Sequence, residues 1–377
     1  MRLHILLDEK IVMRAIRNFE RVFPNDNKYV VLSTEDNAKC KHVDVSENCN
    51  IFVRKYDSPA FWKVIGDVSK YSYVIIHFMS DDSARFVNKI EHDRIAWIEW
   101  GGDMYNVLLA KRGFKLYRDE KLVINCKQPK LPYTLYKLLR PFIKYDVYLI
   151  HYKAVKKCKY FIPDSMEGEY ELLLNYFPEF SHLERRSIFY YPIHEILGNL
   201  SKSLTSGGAI MVGNSASYTN NHPYILDRLH ECGFNGLINM PLSYPKSTRY
   251  VHKIINYGKN LFGEQFVPIT DYMSLEQYNK LMLSVNSFIY GNLRQEAVGN
   301  ILIALYIGGR VFLEKTNPLY SYYLNKGLII YSIEEMTNSL LVRPMQPEDV
   351  ARNRQILDEL YSNDRLENLI KESFGTK

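Results

Sequence analysis

The sequence predicts an α/β chain of two domains, each built on a parallel sheet. Three observations carry that prediction. The chain has 377 residues, 46% hydrophobic and 24% charged, which is long for one core and ordinary for a folded protein. Short apolar runs alternate with amphipathic stretches of helical period, the pattern of βαβ units. That alternation breaks once, at the polar, small-residue stretch IHEILGNLSKSLTSGG (193–208), and then starts again. The expected domains are residues 1–195 and 206–348, with helices in 349–377 placed to pack back on the first domain.

In the first half, RLHILL (2–7) reads as a buried strand and EKIVMRAIRNFERVF (9–23) as the amphipathic helix after it. KYVVLS (28–33) is a second strand. The stretch around Cys40 and Cys49 is less regular. PAFWKVIGDVSKY (59–71) reads as helix, YVIIHF (73–78) as a strong strand and SARFVNKIE (83–91) as a short helix. RIAWIEW (94–100) is a further strand that ends at Gly101-Gly102. In the second half, AIMVGNS (209–215) is a strand running into a turn, and HPYILDRLHECG (222–233) is a helix stopped by Gly233. NGLINMPLSYP (235–245) is strand and loop, and STRYVHKIINYGKNLFG (247–263) is helix. SLEQYNKLMLSV (274–285), SFIYG (287–291), EAVGNILIALYIGG (296–309) and RVFLE (310–314) continue the alternation. The tail DVARNRQILDELYSNDRLENLIKESF (349–374) is one or two amphipathic helices. There is no internal repeat.

Composition narrows the function classes. Lys+Arg 48 against Asp+Glu 42 gives +6, compatible with anionic ligands or anionic lipid and far short of a nucleic-acid footprint. The five cysteines are scattered without a CxxC pair, which argues for a reducing compartment and against structural zinc. The apolar run at the N-terminus is too short for a signal peptide, and no stretch approaches a membrane-spanning length, so any membrane contact is expected to be peripheral. Tyr occurs 30 times. This suits sugar and interface contacts, and an AT-rich genome would produce the same excess. Residues 127–160 mix Tyr, Leu and Phe with Lys and Arg and almost no acid. Such a segment fits an anionic membrane surface, or a solvated helix face beside the core.

Three places could carry chemistry. Gly213-Asn214-Ser215 follows the strand AIMV, and Asn220 and His222 begin the next helix. A glycine at the carboxyl end of a parallel strand lets backbone donors approach a phosphate. The second place is YGNLRQEAVGN. Arg294 and Gln295 precede the helix, and Arg294 suits a diphosphate. Glu296 suits a ribose or sugar hydroxyl, and Gly299 and Asn300 lie where a helix N-terminus offers N–H groups. An ordinary capped helix is the plain alternative, but Gly-Asn inside a strong helix former costs stability, which favours function. The third is WIEWGGDMY (97–105), where Asp103 follows a Trp-rich strand, with His77 at the end of YVIIH as a similar candidate. Turn geometry alone would also explain Asp103, and a lone His is often structural. No DxD-like pair stands at a strand end; Asp81-Asp82 reads as a helix N-cap. No metal is therefore expected, and helix dipoles with Arg294 would carry a leaving diphosphate.

Together these positions resemble the 4-acetamido-4,6-dideoxygalactosyl (N-acetylfucosaminyl) transferases of glycosyltransferase family 56. The carrying residues are Val212-Gly213-Asn214-Ser215 with Thr219-Asn220-Asn221-His222, the PLSYP turn (241–245) with Tyr244, Arg294-Gln295 with Gly299, and Asn317-Pro318. In the first half they are His77, Trp97, Trp100-Gly101, Asp103 and Tyr105. The resemblance implies a GT-B fold, two Rossmann-like domains facing a central cleft. It implies a metal-independent, retaining transferase with no cofactor beyond its donor substrate, a TDP-sugar. The acceptor would be an undecaprenyl-diphosphate-linked saccharide at the cytoplasmic face of the inner membrane. The donor would be held by Gly213, Asn214, Ser215, Asn220, His222, Tyr244, Arg294, Gln295, Glu296, Gly299, Asn300 and Asn317, and the acceptor would lie near Asp103 and His77. Two positions depart from the family pattern: Ile98 stands in place of a His and Glu296 in place of a Gln. Transfer of another sugar such as fucose, pyruvyl transfer, or a non-catalytic membrane-surface scaffold remain the rival expectations.

Overall fold

The computed structural model describes residues 1–127, 132–139, 142–163, 168–245 and 248–375. The chain divides into two compact units. Unit 1 comprises Met1–Phe114, Pro141–Tyr190 and Asn363–Lys377, and unit 2 comprises Lys115–Arg140 and Tyr191–Ser362.

Unit 1 holds a sheet of seven strands: β1 (Arg2–Leu7), β2 (Asn27–Ser33), β3 (Ile51–Lys55), β4 (Tyr73–His77), β5 (Ile95–Ile98), β6 (Tyr160–Ile162) and β7 (Glu184–Arg185). Their order is β3-β2-β1-β4-β5-β6-β7, and every pairing is parallel. Unit 2 holds six strands: β8 (Ala209–Val212), β9 (Ile238–Pro241), β10 (Phe266–Ile269), β11 (Val285–Tyr290), β12 (Arg310–Leu313) and β13 (Tyr331–Ser332). Their order is β10-β9-β8-β11-β12-β13, again all parallel. A parallel sheet is covered by helices on both faces, so its central strands are mainly apolar. β4, YVIIH, and β11, VNSFIY, are fully buried, and β11 satisfies its polar Asn286 and Ser287 by donating to the carbonyls of Val342 and Leu341 at 2.8 Å each. In both sheets the order reverses between the first and fourth strand of the unit. That reversal opens a crevice at the strands' carboxyl ends, where ligands of doubly wound folds sit.

The helices begin and stop where their residues dictate. Ser58 caps Pro59–Ile65 by accepting from the Phe61 amide, Pro59 stands at the first helical position, and Gly66 ends it at φ +63°. The helix expected over 59–71 is thus shorter, and Val68–Lys70 is a separate 3₁₀ turn. Ser80, not the Asp81-Asp82 pair, caps the helix Asp81–Lys89, and the two carboxylates lie in its first turn.

Five strands fall outside the expected elements. β3 lies just beyond Cys49, in the stretch read as irregular, and β6 has three residues inside the basic segment. β7 and β13 have two residues each, and β10 carries Pro268 at a sheet edge, where a missing donor is tolerated. The units also differ from the expected domains. Residues 115–140 belong to unit 2, and the tail splits into Pro347–Leu360 in unit 2 and Asn363–Phe374 in unit 1. The last helix is fastened by the 2% exposed Arg2, whose Nε and Nη2 donate to the Phe374 carbonyl at 3.1 and 2.8 Å. Its Nη1 pairs with Asp26 at 2.6 Å. The helix before it is held by Arg354, which donates to the carbonyls of Tyr306 and Ser203 at 2.8 and 2.7 Å.

Candidate functional site

The crevice of unit 2 is bounded by the loops after β8 and β11. Gly213 leaves β8 at φ +68°, with its N–H donating to the Ile289 carbonyl at 2.8 Å. A Cβ at this position would stand 2.8 Å from Asn220 Oδ1 and 3.1 Å from His222 Nε2. Both the backbone angle and the close approach therefore require glycine. Asn220 is fully buried and donates to the Ser215 carbonyl and hydroxyl, each at 3.3 Å. His222 is fully buried and meets the Tyr250 hydroxyl through Nδ1 at 3.0 Å. Burial pushes its imidazole down to about 3, against a weaker opposing pull from the Ser215 backbone, so the ring is neutral. Asn214 Oδ1, Asn220 Oδ1 and His222 Nε2 are buried polar atoms that no described protein group satisfies. Such atoms need a partner, and two of them flank the empty Cβ position of Gly213.

The second loop follows β11. A Cβ on Gly291 would lie 2.6 Å from the Asn220 carbonyl, so the two loops approach backbone to backbone. Asn221 ties them, donating through Nδ2 to the Gly291 carbonyl at 2.7 Å. Its Oδ1 accepts from the Arg118 amide at 2.8 Å, and the Arg118 guanidinium forks onto the buried Glu314 at 3.1 and 2.5 Å. Arg294 is 13% exposed; its Nη1 donates to the Gln295 carbonyl at 3.2 Å, and its Nη2 lies 3.1 Å from Glu296 Oε2. That carboxylate oxygen also accepts from Thr219 Oγ1 at 2.6 Å and from Asn292 Nδ2 at 3.0 Å. Ala297 at φ +62° then turns the chain into the helix Val298–Tyr306, with Gly299 and Asn300 in its first turn, the end that favours an anion. The carbonyl of Tyr244, whose ring is 73% exposed, accepts from the Ala216 amide at 2.6 Å and so joins the PLSYP turn to the first loop.

Gly213, Asn214, Ser215, Asn220, His222, Tyr244, Arg294, Gln295, Glu296, Gly299 and Asn300 are thus placed on neighbouring loops of one unit. Two roles change. Asn317 does not offer its side chain to a ligand: Nδ2 donates to the carbonyls of Asn292 and Arg294 at 2.9 and 2.8 Å, and Oδ1 accepts from the Leu319 amide. It shapes the Arg294 loop. Glu296 has the oxygen Oε2 already taken by Thr219, Asn292 and Arg294, so the expectation of a carboxylate waiting for a sugar hydroxyl does not describe that atom.

The two candidates of unit 1 are likewise engaged internally. Asp103 is 1% exposed and accepts from the Met79 amide at 2.8 Å, Trp97 Nε1 at 2.7 Å and the Trp100 amide at 3.1 Å. Burial raises its carboxyl, and these donors oppose the rise. His77 is buried with both ring nitrogens occupied, by His4 Nδ1 at 2.9 Å and the Tyr190 hydroxyl at 2.7 Å. Neither presents a free carboxylate or base to an acceptor. A strand-end position is shared by catalytic and scaffold residues, and only the partners tell them apart. Asn292, Arg118 and Glu314 escaped the sequence reading. Glu314 ends the strand RVFLE, which is a signal; Arg118 pairs with it from 196 positions away, which leaves none.

Among the described residues no group of three or more His, Cys, Asp and Glu is placed to hold a metal ion. Residues 171–357 match the family model of 4-alpha-L-fucosyltransferase, glycosyl transferase group 56. The protein is a glycosyltransferase, and its residues 171–357 are similar to those of group 56. The match covers β8 to β13 and both loops of the crevice. Solved structures similar along the whole chain include sucrose-phosphate synthase of Thermosynechococcus elongatus, with TM-score 0.60, 10% identity and coverage of 98% of this chain and 97% of that one. Another is the E. coli trehalose-6-phosphate structure bound with UDP-2-fluoro glucose, with TM-score 0.59, 11% identity and complete coverage of both chains. HepE of Anabaena in complex with UDP has TM-score 0.57, 10% identity and 99% coverage of each chain. At such identities the likeness is one of fold. This glycosyltransferase has the GT-B fold of two Rossmann-like domains expected from its sequence.

Proposed function

We propose that unit 2 binds a nucleoside diphosphate sugar, TDP-linked and of the 4-amino-4,6-dideoxyhexose class, and that the sugar passes with retention to an undecaprenyl-diphosphate-linked saccharide in surface polysaccharide synthesis. The carrying observation is the Gly213 turn. A glycine required by its backbone angle and by close approach stands beside His222 Nε2, a buried ring nitrogen able to donate, and the loop that holds Arg294 lies against it through Asn221 and Gly291. A diphosphate suits this arrangement. Its oxygens approach the turn where a side chain would block them, the helix Val298–Tyr306 directs its N-terminus to the same crevice, and Arg294 supplies a cation. His222, neutral and fixed by Tyr250, offers Nε2 as a hydrogen-bond partner without adding charge.

Charge grows on the β-phosphate as the glycosidic bond to the donor breaks. Fixed donors that meet it lower the barrier because they need no reorganisation. Arg294 is the one basic residue between Gly291 and Gly309. Arg294→Ala should lower kcat more than it weakens donor binding, by about 2–4 kcal/mol in the barrier, and Arg294→Lys should restore only part because the planar fork is lost. Steady-state kinetics on folded variants, with TDP-, UDP- and GDP-sugars compared as donors, test this. Normal kcat in Arg294→Ala would place the leaving group elsewhere, and turnover with none of these donors would remove the reading of the substrate.

The reading extends to an anionic membrane surface at the cytoplasmic face of the inner membrane. No helix among the described residues is long and apolar enough to cross a membrane. The helix Tyr133–Leu139 exposes Leu135, Leu138 and Leu139 beside Lys137, and Phe142 and Lys144 follow in the chain. Exposed leucines and a phenylalanine among cations match an interfacial segment better than a solvated helix face.

A further inference from the structure

Arg294 and Glu296 are two residues apart, both largely buried at 13% and 17% exposure, and 3.1 Å apart between Nη2 and Oε2. The carboxylate is held from three directions, by Arg294, by Thr219 Oγ1 at 2.6 Å and by Asn292 Nδ2 at 3.0 Å. Thr219 is itself steadied by Ser217 Oγ at 2.7 Å. The hydroxyl, the amide and the guanidinium therefore converge on one anionic oxygen. Three convergent donors with a cation among them are the ligand set of a phosphate oxygen as much as of a carboxylate. A diphosphate brought to Arg294 would meet Glu296 as a like charge at close range, in surroundings where charges are poorly screened.

We propose that Glu296 is an internal counter-ion that occupies the phosphate position on Arg294 in the unliganded protein and must yield it when a nucleoside diphosphate binds. The inference rests on the reading of unit 2 as the donor site. Its consequence is a release device. Glu296 weakens the hold on the nucleoside diphosphate, and so favours release of the spent leaving group after transfer. Glu296 is a positioning residue here: it acts through Arg294 and through the Thr219 and Asn292 donors it gathers.

The test is calorimetric titration of the full chain and its Glu296→Gln variant with TDP and with UDP, over a range of KCl concentrations. The amide keeps an oxygen that Thr219 and Asn292 can meet, so the shape of the loop is retained while the charge is removed. Removal of one poorly screened like charge should tighten nucleoside diphosphate binding about fivefold or more and steepen its weakening by salt. Thymidine and uridine, followed by saturation-transfer NMR, should bind the two proteins equally. Unchanged or weaker diphosphate binding in the folded variant overturns the proposal, and so does an equal gain for the uncharged nucleosides. Should Glu296→Gln not fold, Glu296→Ala removes the same charge and is read by the same criteria. Arg294→Ala separates the two claims. If it leaves diphosphate affinity unchanged, the donor-site reading fails; if it weakens affinity while loss of the Glu296 charge does not strengthen it, only the counter-ion proposal fails.

Discussion

At the scale of single residues, Gly213 stands at the turn where the two loops of unit 2 meet. Its φ of +68° and the two atoms beside its missing Cβ make Gly213→Ala unfavourable twice over. The backbone strain alone should cost about 1 kcal/mol or more, and the methyl group would also occupy the space proposed for the phosphate. The expected outcome is a modest fall in melting temperature with nucleotide binding lost, read by thermal melts and titration with TDP. Binding that survives at wild-type strength would remove the turn from the site. The buried histidines make a second residue-scale prediction. Burial holds His4 and His222 down to about 3, and burial with the neighbouring His4 holds His77 well below 6.5. The unfolded chain binds their protons from about pH 6.5 downward while the native state does not, so stability is full above that pH and falls on acidification. Each can remove up to about 1.4 kcal/mol per pH unit in that window. Melting temperatures recorded from about pH 7 to pH 5 should therefore decline. A flat profile would mean that the three imidazoles are protonated in the native protein.

At the scale of elements, the segment from Tyr133 to Tyr145 carries its own prediction. Leu138 is 72% and Phe142 77% exposed, with Lys137 and Lys144 beside them in sequence. Lys137→Gln with Lys144→Gln should weaken binding to anionic liposomes by about 1 kcal/mol per charge, and Leu138→Ser with Phe142→Ser should weaken it also on neutral vesicles. Arg140, which lies between these two lysines in the sequence, is outside the described residues. Sedimentation with vesicles checks this, and unchanged partition in all variants would leave the segment without a membrane role. Elements are also where the sequence was most legible. Strands buried on both faces, such as β4, read as YVIIHF, and β11, read as SFIYG, stand out as largely apolar runs because helices cover both sides of the sheet. The short edge strands β7, β10 and β13 bury little and have no such signature. The loops around Gly213 and Arg294 drew notice because glycine, asparagine and a single arginine gather there at strand ends. His77 and Asp103 looked the same, and their side chains are engaged by His4, Tyr190, Met79 and Trp97, partners that come together only in the fold. Glu296 was found, but its grip on Arg294 depends on Thr219 from another loop, which no spacing announces.

At the scale of the whole molecule, sheets of seven and six strands that share their order around the reversal carry different side chains at equivalent places. Each has a reversal of strand order, β1 with β4 and β8 with β11. At the first, His77 and Asp103 are bound up in internal hydrogen bonds. At the second, a glycine turn, unsatisfied buried atoms and an arginine adjoin. Unit 2 is therefore the place proposed for the nucleoside diphosphate. Hydrogen–deuterium exchange of the full chain, with and without saturating TDP or UDP, tests that assignment most directly. It should show slowed exchange in residues 213–222 and 291–300, and no change in the segment 97–105 of unit 1. Protection centred on 97–105, with the two loops of unit 2 unaffected, would contradict it.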